Sequence, residues 1–146
     1  MNYGRLALAA VVGLVVDVVY GFLVYGTLLA GEFGKYPAVY RSAETGPAYL
    51  PLMFAGLFIA ILVAAMMYAK GYEGGSGASE GLRFGVLLGV FVAFTFASVN
   101  YAVLNIGRRL AAYTAVAGLI EWTLIGVAIG LVYKPAQTAA RRVAGV

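Results

Sequence analysis

The sequence predicts an all-α integral membrane fold, a four-transmembrane-helix bundle with short loops. Four apolar stretches, roughly 6–30, 50–69, 84–104 and 114–133, each come near the ~20 residues that a helix needs to cross hydrocarbon. The composition agrees, because 63% hydrophobic and only 11% charged residues leave too little polar surface to cover a water-soluble fold of 146 residues. Short connections in a chain of this length leave room for one folded unit, so residues 1–146 read as a single membrane domain.

The first stretch follows Arg5 and could be mistaken for a cleaved signal sequence. It is long for a signal core and Asp17 interrupts it, so it is expected to stay as helix one. The first connection, Gly31 to about Tyr49, is long enough for an interfacial helix, with a solvated loop as the alternative. Its rings Phe33, Tyr36, Tyr40 and Tyr49 suit the headgroup layer, where an amphipathic ring meets both apolar and wet surroundings. Pro51 falls in the first turn of helix two, where a missing amide donor costs little.

The second connection, Gly71 to Glu80, reads as a flexible polar linker. It lacks the spaced lysine and the preceding strand of a phosphate-binding glycine loop. Asn100, Tyr101, Asn105, Arg108 and Arg109 are read as the polar end of helix three, running on through the turn at Gly107. Pro135 is expected to end helix four, leaving a tail with Arg141 and Arg142 at the membrane surface.

The net charge of +4 would suggest nucleic acid in a soluble chain, but here the ten Lys and Arg flank the apolar stretches and report topology. Six of them, Arg5, Lys70, Arg83, Lys134, Arg141 and Arg142, fall on one side. Lys35, Arg41, Arg108 and Arg109 fall on the other, which places both termini in the cytoplasm of a bacterial or archaeal cell. The partners expected are the lipid bilayer and a second copy or other membrane subunits, with no nucleic acid. The absence of cysteine excludes disulfides and thiolate chemistry. The absence of histidine removes the commonest transition-metal ligand and the default general base. No cofactor, metal centre or catalytic residue is therefore expected.

Small residues recur at four-residue spacing. Ala9, Gly13, Asp17, Gly21 and Tyr25 share one stripe; Gly56, Ala60, Ala64 and Tyr68 share another. A third runs through Gly81, Gly85, Gly89, Ala93, Ala97 and Tyr101, and Gly126 with Gly130 extends the pattern to helix four. In lipid, helices associate by close backbone approach, so such stripes mark packing faces within the chain or towards a second subunit.

Two stretches carry an acid near mid-depth, Asp17 and Glu121. An ionised acid at the bilayer centre costs roughly 2.5–3.5 kcal/mol on insertion scales, so each must be protonated, paired or wet. No Lys or Arg lies at comparable depth along the chain. One reading makes them a shared site for a proton, a cation or the amine of a small ligand, with Tyr20 and Asn100 as polar neighbours. The other is structural: a protonated acid bonds a carbonyl, Ser98, Asn100 or a tyrosine across helices, contributing about 0.6–2 kcal/mol. Arg108 and Arg109, with Asn105 as a further donor, are candidates for an anionic headgroup or carboxylate, or simply snorkel.

Asn100-Tyr101, then Arg108-Arg109 and a glycine-spaced last helix, resemble a family of small four-helix bacterial membrane proteins, domain of unknown function 1761. The segment Gly21 to Leu28 is similar to that family's aromatic, glycine-containing end of helix one. Thr27 stands where the family pattern has proline, and Glu121 lies near an expected histidine. The resemblance implies the four-helix fold and no particular activity. The function expected is a small non-catalytic membrane protein serving as an accessory or structural subunit. The alternative is proton- or cation-linked transport or binding through Asp17 and Glu121.

Overall fold

The computed structural model describes residues 1–133, so the expectations for Pro135, Arg141 and Arg142 lie outside the described residues. Their regular structure is all helical, with no strand among the described residues, and four helical segments are long and apolar enough to cross a membrane. The segments are Tyr3–Leu28, Gly46–Lys70, Gly77–Val103 and Arg108–Val132.

Helix α1, Tyr3–Leu23, starts where the Asn2 side chain accepts from the Arg5 amide at 3.2 Å, which satisfies one of the open amides of its first turn. The first span then continues through a wider π turn, Val24–Leu28, before the short helix α2, Ala30–Phe33. A 3₁₀ turn, Gly46–Tyr49, leads into α3, Leu50–Lys70, with Pro51 in its first turn. Helix α4, Gly77–Val92, runs on through a second π turn, Ala93–Ala97, into α5, Ser98–Val103. The last helix, α6, is Arg108–Val132.

Two connections differ from expectation. The linker beginning at Gly71 is shorter than composition suggests, because Ser76 caps α4 by accepting from the Ser79 amide at 3.2 Å and the helix takes up Gly77 to Glu80. Within it Gly74 adopts φ 93, a conformation that favours glycine. Arg108 and Arg109 do not continue the third span; the chain turns extended at Leu104 and the two arginines open α6.

Helix α6 is the centre of the molecule. Its most extensive pairing is with α4, the next with α1, and α3 packs mainly on α1. The α4–α6 contact is backbone against backbone. A methyl group built on Gly85 would stand 2.6 Å from the Thr123 carbonyl oxygen, and one on Gly89 would stand 2.7 Å from that of Leu119. Gly81 meets Gly126 in the same way, at 2.5 Å, and Gly77 faces Gly130. The glycines of the third stripe are thus spent inside the chain. On the other flank, Gly13 lets α1 close on Ile61, Ile125 and Ile129, around which the buried apolar core gathers.

Large apolar side chains stand outward on all four spans, including Phe22, Leu52, Leu87, Phe94 and Leu131. That inversion suits hydrocarbon as the surrounding medium and would be untenable in water. Helix α3 leaves part of its small stripe open: nothing lies within 4 Å of a methyl built on Gly56, and Ala60 is exposed.

These contacts separate two glycines of equal sequence rank. Gly85→Ala is expected to destabilise the detergent-solubilised protein by about 1–3 kcal/mol through overpacking. Gly56→Ala is expected to be neutral or to stabilise by about 0.4–1 kcal/mol. Denaturation of both variants in micelles checks the pair, and equal losses would contradict the packing described.

Candidate functional site

The face of α6 turned away from α4 carries Ala117, Glu121, Ile125 and Ile129, and α1 lies against it. Along the half of this seam nearer the start of α1 the contacts are apolar. Further along, the small residues give way to the two acids and two tyrosines. Asp17 is 4% exposed and Glu121 is 9% exposed, so both carboxyl groups are withdrawn from the lipid-facing surface.

Tyr25 donates to Glu121 Oε2 at 3.0 Å, joining the C-terminal end of the first span to the middle of the last. The Tyr25 side chain leans back towards the start of its helix, as helical side chains do, which carries its hydroxyl inward. Tyr20 donates to the Ala117 carbonyl at 2.9 Å rather than to an acid, and its ring meets that of Tyr25 edge-on, 6.2 Å between centroids. Asp17 lies close enough for its charge to be felt at Glu121 and Tyr25, yet has no side-chain hydrogen bond among the described residues. Neither acid takes part in a salt bridge among the described residues.

The first connection closes over the end of this seam nearest Tyr25. Tyr25 stacks edge-on against Phe33, and Phe33 against Tyr40, so a file of rings leads from Glu121 to the surface. The connection is fastened to the turn before α6 by the Gly107 amide, which donates to the Tyr36 hydroxyl at 2.9 Å. Glu32 binds Lys35 at 2.7 Å and lies 3.5 Å from the Arg109 Nε. The Lys35 hydrogen bond is the main cause that holds the Glu32 carboxyl below its ordinary value; desolvation opposes it, and the charges of Arg109 and Lys35 add to the lowering. Glu32 also places negative charge beside the first turn of α6, where two arginines oppose the helix dipole and no acid is present.

The remaining sequence candidates lie elsewhere. Asn100 is half-buried, and its side chain makes no hydrogen bond to either acid. Ser98 is exposed and lines a shallow cleft with Ala97, Tyr101 and Ala111. Asn105 and Arg108 are exposed at the α5–α6 turn. Arg109 is engaged by Tyr113, at 3.1 Å from its Nε, as well as by Glu32. The missed partner is Tyr25, whose signal was its place eight residues after Asp17 on the same small-residue stripe. No cluster of three or more metal-ligating acidic, histidine or cysteine side chains occurs among the described residues.

No family model, curated protein or solved structure matches the chain.

The hydroxyl of Tyr25 supplies the clearest cross-helix polar contact of the site. Tyr25→Phe is expected to weaken the fold by about 0.6–1.7 kcal/mol, the range for a hydrogen bond between membrane helices. Tyr101→Phe removes an exposed hydroxyl and is expected to leave stability unchanged. Unfolding of both variants in mixed micelles, against the parent, is the check.

Proposed function

We propose that this is a non-catalytic integral membrane protein of a bacterial or archaeal cell membrane that takes up a proton or small hard cation between Asp17 and Glu121. The observation that carries the reading is two buried carboxyl groups within each other's electrostatic reach and without a salt-bridge partner among the described residues. Two uncompensated negative charges at that depth would cost several kcal/mol. A shared proton, or a cation held by carboxylate oxygens, removes that cost. Tyr25 orients Glu121 by donating to Oε2, and the second oxygen makes no hydrogen bond among the described residues, which leaves it open to a proton or a ligand.

The orientation that follows from the Lys and Arg distribution has both ends of the chain in the cytoplasm and the ring-covered end of the seam on the outer side. Uptake from that side passes the Phe33 and Tyr40 rings.

A second reading is an accessory or structural subunit of a homo-oligomer or a larger membrane complex. The open strip at Gly56 and Ala60 favours it, because small residues facing outward allow close approach of another helix.

Reconstitution in vesicles separates the readings. Under the first, a proton or sodium gradient is dissipated by the parent, and Asp17→Asn and Glu121→Gln each abolish that flux while the protein stays folded with unchanged mass. Under the second, no flux is seen in the parent, and Gly56→Leu disrupts an assembly that both acid variants leave intact.

A further inference from the structure

Opposite the acid pair, at the α3–α4 end of the bundle, a cleft of about 170 Å³ combines charge, an orphaned donor and lipid-facing walls. Tyr68 lines it from the last turn of α3, and Glu73, Glu80 and Arg83 line it from the connection and the first turns of α4. The Tyr68 side chain is buried, at 3% exposure, and its hydroxyl has no hydrogen-bond partner among the described residues. It does lie within electrostatic reach of Glu80. Its ring is gripped edge-on by Phe84 and Tyr133, so it cannot easily swing to water. A buried hydroxyl left unpaired is costly and rare in folded proteins, and it points to a partner beyond the described residues.

We infer that this cleft holds the headgroup of a zwitterionic aminophospholipid, with a primary ammonium and a phosphate diester. The charges are arranged as a dipole. Arg83 and Glu73 meet only at 3.5 Å, and both are 71% exposed, a loose contact that a headgroup can bridge by placing phosphate on the guanidinium and ammonium on the carboxylate. Glu80 already accepts from the Gly75 and Glu73 amides, which fixes its carboxylate with lone pairs to spare for the ammonium. Tyr68 supplies the neutral donor for a phosphate oxygen. A lipid, rather than a soluble amino-phosphate, fits the walls: Met67 and Leu87, exposed by 53% and 72%, carry the cleft from these polar groups towards the hydrocarbon side of the spans. The site is separate from the acid pair and independent of its role.

The test is competitive lipid retention by the full chain in mild detergent, read by native mass spectrometry with phosphatidylethanolamine, phosphatidylcholine and phosphatidylglycerol at equal concentration. The inference predicts preferential retention of phosphatidylethanolamine, because trimethylation removes the ammonium donors and glycerol removes the cation. Arg83→Gln should lower that retention about tenfold, and the ring-conserving Tyr68→Phe roughly threefold to tenfold, the range for losing one charge-assisted or neutral hydrogen bond. Arg108→Gln should leave it unchanged. Equal retention of the three lipids, or indifference to both Arg83→Gln and Tyr68→Phe, overturns the inference. So does displacement by free phosphoethanolamine at the same concentration as the lipid, which would make the occupant a soluble amino-phosphate.

Discussion

Close backbone approach between α4 and α6 is the constraint on which the rest of this structure depends. Hydrocarbon gives helices no hydrophobic reason to associate, so the bundle must gain its cohesion from short-range packing and hydrogen bonds. Glycines at four-residue spacing on α4 let its backbone rest against Gly126, Gly130 and Thr123 of α6. This fixes the rotation of α6, and rotation decides which residues meet α1. With the glycine face committed, Ala117, Glu121, Ile125 and Ile129 are the residues left for α1.

The acid pair follows from that geometry and from a second glycine contact. Gly13 brings α1 onto Ile61 and Ile125, and one helical turn further along the same stripe is Asp17. A carboxyl group on a close-packed face has no route to the headgroups, in contrast to a lysine or arginine whose long stem can reach them. The fold therefore holds Asp17 and Glu121 inside and answers only part of their demand, through Tyr25. Partial satisfaction is the physical reason to look for a ligand there. The ring file Tyr25–Phe33–Tyr40 and the Tyr36–Gly107 bond make the first connection part of the same unit, tying access at the surface to the buried pair.

Much of this architecture was legible in the sequence because lipid imposes one simple rule, and the four apolar stretches obey it. The glycine stripes of the first, third and last spans named packing faces, and Asp17 announced its own burial by sitting on one. The helix ends were less legible. Ser76 as a cap and the extended Leu104 moved the starts of α4 and α6 several residues towards the N-terminus, since glycine and arginine do not by themselves reveal which side of a turn they occupy. Periodicity could not show that the third stripe is used up within the chain whereas Gly56 and Ala60 stay open, because that depends on helix order. Spacing along the chain favours Tyr20, three residues from Asp17, whereas the contact to Glu121 is made by Tyr25 on the π turn, and its reach across to α6 is not visible in a one-dimensional pattern.

The central claim is that Asp17 and Glu121 act as one coupled site. Infrared difference spectroscopy of the purified protein, titrated with acid and with sodium, reads protonated carboxyl groups directly by their carbonyl band. Asp17→Asn should shift the titration of the Glu121 band, and Glu121→Gln should shift that of Asp17, because a proton or cation shared by the pair belongs to neither alone. Two bands that titrate independently, each untouched by loss of the other acid, would contradict the account and leave the carboxyl groups as separate structural features of the bundle.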